Sequence, residues 1–272
     1  MKPTLYALLL AAVLFGCSKN ETSKAYKPKI LTAMESFNEY GKGSDTLGIS
    51  KMEDSSGQLD KKDGDGIRKW YSVKFLDTLV QIQVNPDDPK SATDKFAFAE
   101  FINTAKTCAL VQIADQSGLA APVYIVTVKD NKVEVVSLYR PSNGPADVKF
   151  TKGITRVGNA GYIINNDFYV TRVYAKAYLL KRQNPDQRIQ GDFVINSPDI
   201  STFVFLVGNS LYELHYPTGE VFLQPVPAET ASSLESTYDW IQQNCKWVKN
   251  AKGISFLKAQ DPDRIVDIKE FK

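Results

Sequence analysis

The chain has 272 residues, with 33 Lys and Arg against 31 Asp and Glu, a formal net charge of +2, and 43% hydrophobic residues. That length supplies one large domain or two small ones with ample core. The charges are mixed along the chain without a basic block, which argues against nucleic acid or an acidic lipid surface as the main partner. One His and three Cys exclude a zinc site built on two or three histidines and leave a Ser-His-Asp triad a single choice of base.

The chain opens Met1-Lys2, runs apolar from Leu5 to Phe15, and reaches Gly16-Cys17. A basic start and an apolar run too short to span a bilayer describe an export signal. Its end, Leu14-Phe15-Gly16-Cys17, resembles the lipobox of bacterial lipoproteins, with Phe15 where a smaller residue is usual. The resemblance implies that residues 1–16 are removed, that Cys17 is lipidated, and that the protein is anchored in a membrane. Ser18, where Asp would mark inner-membrane retention, implies the outer membrane. The resemblance covers the signal alone. Residues 17–29 are polar and charged and are expected to form a flexible tether, followed by a single domain over 30–272.

Pro28 to Tyr40 is expected to be a short helix, with Ile30 or Leu31, Met34 and Phe37 on one side. Strands are expected over Thr46–Met52, Ile67–Leu76 and Leu79–Val84. A second helix is predicted from Thr93 or Asp94 to Asp115, on a stripe of Phe98, Phe101, Ile102, Ala105, Cys108 and Ala109. Val123–Val128 and Lys132–Tyr139 form a hairpin. From Gly153 to Val226 the pattern is an antiparallel meander. It includes one long strand over Phe168–Leu180, then Arg188–Ile195, Thr202–Val207, Ser210–Tyr216 and Glu220–Gln224. A third helix is predicted near Glu229–Val248, through Leu234, Tyr238, Ile241, Cys245 and Val248. A short strand over Ile254–Leu257 ends the pattern.

The expected class is α+β: a large, meander-rich antiparallel sheet with two or three helices packed on one face. Pro141, Asn143, Gly144 and Pro145 offer a domain boundary within Pro141–Lys152, but helices at both ends of the chain need a common sheet to cover, so one domain is preferred.

Cys108 and Cys245 both fall on apolar stripes of an exported chain, where thiols tend to pair. A bond between them would close a loop of about 140 residues, worth roughly 4–5 kcal/mol in the chain-entropy model. The alternative is two separate buried thiols. His215, before the Pro217-Thr218-Gly219 turn, has no Gly-x-Ser-x-Gly partner and is expected to be locally bonded. Asp60, Asp63 and Asp65 lack the twelfth-position Glu of a calcium loop, and the glycines from Gly153 to Gly161 lack a phosphate-loop pattern. No catalytic residue, metal or cofactor is therefore assigned. The candidate binding face is Arg172, Tyr174, Lys176 and Tyr178, which would share one side of the long strand and interleave aromatics with cations.

These features point to a non-enzymatic, lipid-anchored envelope protein that binds a protein or glycan. Two alternatives stay open. One is a hydrolase whose paired carboxylates are assembled only by the fold. The other is a carrier of lipid or lipoprotein with an apolar cavity.

Overall fold

Alternating side chains, not helical stripes, decide this architecture. In the computed structural model, which describes residues 22–38, 47–54, 68–115, 117, 119–142, 152–184 and 186–260, nearly every element is a strand. Cys17, the rest of the export signal and the Asp60, Asp63 and Asp65 segment lie outside the described residues.

The first sheet has ten strands. Its central path runs Thr78–Gln83, Arg68–Phe75, Phe96–Phe101, Cys108–Ile113, Val123–Lys129 and Lys132–Ser137, all antiparallel. Two short N-terminal strands add in parallel at its margins: Thr22–Tyr26 along Thr78–Ile82, and Lys29–Ile30 along Val136–Ser137. On one face Val73, Val80, Ile82, Phe96, Val111 and Val126, from strands spread across the sheet, pack into one cluster. A sheet can bring such side chains together on its own face only by curling around them.

The opposite face contributes Ile102, Cys108, Leu110, Val123, Ile125 and Leu138 to a second core. Its other half comes from the middle sheet: Ile154–Val157, Gly161–Ile164, Phe168–Thr171, Lys176–Leu179 and Glu35–Ser36. The middle sheet's reverse side packs on a third sheet, Asp192–Asn196, Thr202–Val207, Ser210–His215 and Glu220–Pro225, through Ile163, Tyr169, Phe203, Phe205 and Tyr212. Helix α1, Leu234–Asn244, and the hairpin Cys245–Lys249/Ser255–Ala259 close the far side of that sheet around Val204, Leu211, Ile241 and Leu257. The chain is thus a series of stacked sheets. The expected α+β class with two or three helices on one face does not hold. Among the described residues α1 is the one α-helix.

Each misplaced helix has a local reason. The stretch from Phe96 to Ile113 is a hairpin. Asn103 starts its turn by accepting from the Thr107 and Cys108 amides through Oδ1, at 3.0 and 3.1 Å. Lys106 takes a left-handed φ of 54°. A register shift between Phe96 and Phe98 turns Phe96 to the curled interior and Phe98 toward the middle sheet, so the residues of the supposed helical stripe go to two different cores. The segment expected as the first helix is a strap: Lys29–Ile30 joins the first sheet, Glu35–Ser36 joins the middle sheet, and Leu31 and Phe37 are buried between them. The final helix stops at Asn244, and Cys245 continues as extended chain. Ser233 caps its start by accepting from the Ser236 amide at 3.1 Å. Thr237 and Ile241 are buried, while Leu234 and Tyr238 are exposed.

The expected tether over residues 17–29 does not hold where it is described. Thr22–Tyr26, assigned to it by composition, is a strand, held by backbone hydrogen bonds to an open sheet edge that composition does not report. The meander divides between two sheets. The turn at Asn165–Asp167 lies between two strands that approach closely: a Cβ on Gly161 would sit 2.2 Å from the Val170 carbonyl oxygen. Only glycine lets these strands meet there, and this fixes the position of the neighbouring Tyr162.

Candidate functional site

The expected long strand over Phe168–Leu180 is two strands, Phe168–Thr171 and Lys176–Leu179, paired antiparallel. The turn between them comprises Arg172, Val173, Tyr174 and Ala175. It breaks the alternation, so Arg172, Tyr174, Lys176 and Tyr178 do not share a face. Tyr178 pairs with Tyr169 and enters the contact with the third sheet, where its ring centroid is 5.0 Å from Tyr216 and 6.4 Å from Tyr169. It is an interface residue of the fold. Lys176 is half-buried, its amide donating to Thr171 Oγ1 at 3.0 Å.

Arg172 and Tyr174 remain at the surface on the turn itself. Tyr174 is 64% and Val173 55% exposed. The backbone beneath them is strained: φ is 71° at Val173 and 44° at Ala175. A β-branched residue in the left-handed region is a steric outlier, costing on the order of 1–2 kcal/mol. The turn is braced on every side. Asn103 bridges the backbone at both Val173 and Tyr174. The Phe37 amide donates to the Ala175 carbonyl at 2.9 Å, and the Arg172 amide to the Ala160 carbonyl at 2.9 Å.

Beside the turn stands a polar platform. Glu100 comes from the Phe96–Phe101 strand, on the face that the register shift turns toward the middle sheet. The hydroxyl of Tyr162, from Gly161–Ile164, donates to Glu100 Oε2. Arg172 Nη2 is 2.5 Å from Glu100 Oε1. The Tyr162 ring packs edge-on against Phe98, centroids 5.7 Å apart. Burial, then the Glu100 hydrogen bond and charge, push the Tyr162 pKa up to about 12, against the opposing charges of Arg172 and Arg156. Tyr162 therefore keeps its proton at neutral pH and serves as a donor. The cluster holds a carboxylate between a phenol and a guanidinium and stands beside the exposed Tyr174. That chemistry suits recognition.

No family model, curated protein or solved structure matches this chain.

The other sequence candidates fall elsewhere. Cys108 and Cys245 are both buried and are not joined in a disulfide. Cys108 lies in the core between the first and middle sheets and Cys245 in the core beyond the third, so of the two alternatives the thiols are separate and the possible disulfide is not made. Burial pushes the Cys108 thiol up, against a hydrogen bond with Thr127. His215 Nδ1 lies 2.8 Å from Thr218 Oγ1. Burial lowers its pKa, with Glu220 and Asp199 opposing. Asp199 is committed to the hydroxyls of Ser197, Ser201 and Ser255 at 2.6–2.8 Å. These bonds outweigh burial and hold its carboxyl well below the usual range. Among the described residues no three His, Cys, Asp or Glu side chains converge to hold a metal.

Glu100 and Tyr162 escaped the sequence analysis. Glu100 lay inside a supposed helix, and Tyr162 lies 62 positions away from it. The one local signal was the F-A-F-A-E-F alternation of Phe96–Phe101.

Proposed function

We propose that the protein is a lipid-anchored component of the bacterial outer membrane, acylated at Cys17, that binds an envelope partner through Arg172, Val173 and Tyr174. The anchor rests on Leu14-Phe15-Gly16-Cys17 and on Ser18. The binding role rests on one observation: a strained turn that exposes Tyr174, braced by Asn103, Phe37 and the Glu100–Arg172 pair. Strain of this kind persists only where surrounding structure enforces it, and it concentrates at binding sites. A rigid tyrosine buries a large area at little entropic cost, which suits an anchor residue. The perturbed carboxylates favour this reading over a hydrolase, since Asp199 is taken up by serines, Asp167 by arginines and Glu213 by a backbone amide.

Cys17→Ser is expected to release the protein from the membrane fraction without changing its melting curve. Protein that still pellets with membranes after a high-salt wash would overturn the anchor. Tyr174→Ala is expected to weaken capture of a partner by about 5–30-fold, equivalent to about 1–2 kcal/mol for a truncated anchor residue. Capture is read by photo-crosslinking from position 176 in intact cells. Because the ring is exposed, melting should not move. Unchanged crosslinking yield per folded molecule would remove this turn as the binding site.

A further inference from the structure

A second strained tip lies at the far end of the first sheet. Leu76 occupies the two-residue turn between Arg68–Phe75 and Thr78–Gln83, with φ at 55° and 61% of its surface exposed. A leucine gains nothing there. The left-handed backbone suits glycine or asparagine, and the side chain packs on little of the domain. We infer that the Leu76 tip is a second membrane contact, which docks this end of the domain on the lipid surface beside the acylated Cys17. The inference rests on the anchor reading.

The length of the leash carries it. Thr22 pairs with Thr78, and its amide donates to the Asp77 carbonyl at 3.3 Å. The chain between the proposed lipid attachment and the tip is therefore the run from Cys17 to Thr22. Its five steps reach at most about 16–18 Å even when fully extended. The pairing is parallel, Thr22 with Thr78 through Tyr26 with Ile82, so the chain joins the domain at the tip and runs away from it. With Cys17 held at the interface, the end of the first sheet that carries this turn lies within that reach of the membrane. An apolar side chain there enters the boundary between headgroups and acyl chains, while Asp77, exposed beside it, stays at headgroup level.

The same geometry sets what points outward. Tyr71 pairs with Phe96, and Phe96 with Ile113. Strands alternate direction from there, so Asn103, beyond Phe101, and the Asp130–Asn131 turn both lie at the end opposite Leu76. Asn103 bridges to Tyr174. Docking through Leu76 directs the Tyr174 turn away from the membrane, toward a partner.

The test uses the full, acylated protein reconstituted in phosphatidylethanolamine–phosphatidylglycerol vesicles that contain a spin-labelled phospholipid. A fluorophore is attached to Leu76→Cys or to Lys132→Cys at the opposite end. Labelling is done on folded protein, where Cys108 and Cys245 are buried. Quenching at position 76 is expected to exceed that at 132 at least threefold. In a second pair the fluorophore sits at Asp77→Cys with or without Leu76→Asn, a residue suited to the turn. The asparagine should reduce quenching at least twofold without lowering the melting temperature. Equal quenching at 76 and 132, or no effect of Leu76→Asn, overturns the docking. Mass analysis of Cys17 separates the two failures. An unmodified Cys17 removes the anchor reading and this inference with it, whereas an acylated Cys17 with equal quenching removes the docking alone.

Discussion

Glu213→Gln is expected to stabilise the protein at alkaline pH and to flatten its stability between about pH 5 and 9. Glu213 lies in the Ser210–His215 strand between Val204 and Phe222, 1% exposed. Among the described residues one hydrogen bond reaches its carboxylate, from the Leu257 amide at 2.8 Å. Burial pushes its pKa up to about 8, and that hydrogen bond opposes the rise. The folded value is above the unfolded one, so the stability linked to this group is fully present below about pH 4.5 and is lost as pH rises through about 8. A separation of 3.5 pH units, from 4.5 to about 8, converts to a loss of about 5 kcal/mol at most, at about 1.4 kcal/mol per unit. Glutamine keeps an acceptor for the Leu257 amide and cannot ionise. His215, two residues on, works in the opposite direction: its pKa is lowered by burial, so its linked stability is lost on acidification. The difference between wild type and Glu213→Gln in urea denaturation from pH 5 to 9 isolates the glutamate. Parallel curves for the two proteins would show that Glu213 is ionised and solvated. The expected site of the alkaline loss is the Cys245–Ala259 hairpin, whose Leu257 makes the contact, and faster amide exchange there would locate it.

Strands bounded by turn residues were legible; the third sheet's Thr202–Val207 and Ser210–His215 follow from alternation and from Gly208-Asn209 between them. The hairpin at Asp130–Asn131 was legible for the same reason, both residues taking the left-handed φ that a two-residue turn requires. The region from Phe96 to Ile113 was not. Phe98, Phe101, Ile102, Cys108 and Ala109 satisfy a helical stripe, and the deciding feature is the Asn103 side chain bonding its own turn, a local hydrogen bond that periodicity does not see. The candidate site shows the same division. Arg172 and Tyr174 were singled out by an alternation that the turn at 172–175 interrupts. Four turn residues inserted into that pattern then carried Tyr178 into the contact with Tyr216, because a change of strand direction resets which face each side chain occupies. The partner that orients Arg172 is Glu100, on a different sheet, and no pattern within either segment encodes that meeting. The strap over Lys29–Phe37 was missed for a related reason. Its stability comes from two sheet edges far apart in sequence, Val136–Ser137 and Lys176–Ala177, and not from any propensity of its own.

Asp167→Ala is expected to destabilise the fold by about 3–5 kcal/mol, the cost of leaving a buried guanidinium without its carboxylate. Asp167 is fully buried in the turn that Asn165 and Asn166 form with φ of 52° and 53°. Arg182 Nε and Nη2 each approach its Oδ1 at 2.9 Å, and Arg188 Nη1 lies 3.6 Å from Oδ2. Burial raises the Asp167 pKa, with Arg182, Arg188 and Arg140 opposing. The arginines also hold backbone. Arg182 donates to the Pro141 and Arg140 carbonyls at 3.1 and 2.9 Å, and Arg140 to the Leu180 carbonyl at 2.7 Å. Asn166 Nδ2 donates to the Ile189 and Gly191 carbonyls at 3.0 and 2.7 Å. One buried knot therefore ties the exit of the first sheet, a turn of the middle sheet and the segment leading into the third. Truncating Asp167 loosens all three, whereas Lys252→Ala removes only an exposed pair with Glu220, worth about 0–1 kcal/mol. Urea denaturation of the two variants should separate them by several kcal/mol. In a double-mutant cycle, Arg182→Met should recover part of the loss caused by Asp167→Ala, since it removes the charge that was left uncompensated. A loss below about 1 kcal/mol for Asp167→Ala would mean that the arginines rest on the backbone carbonyls alone and that the aspartate does not join the sheets.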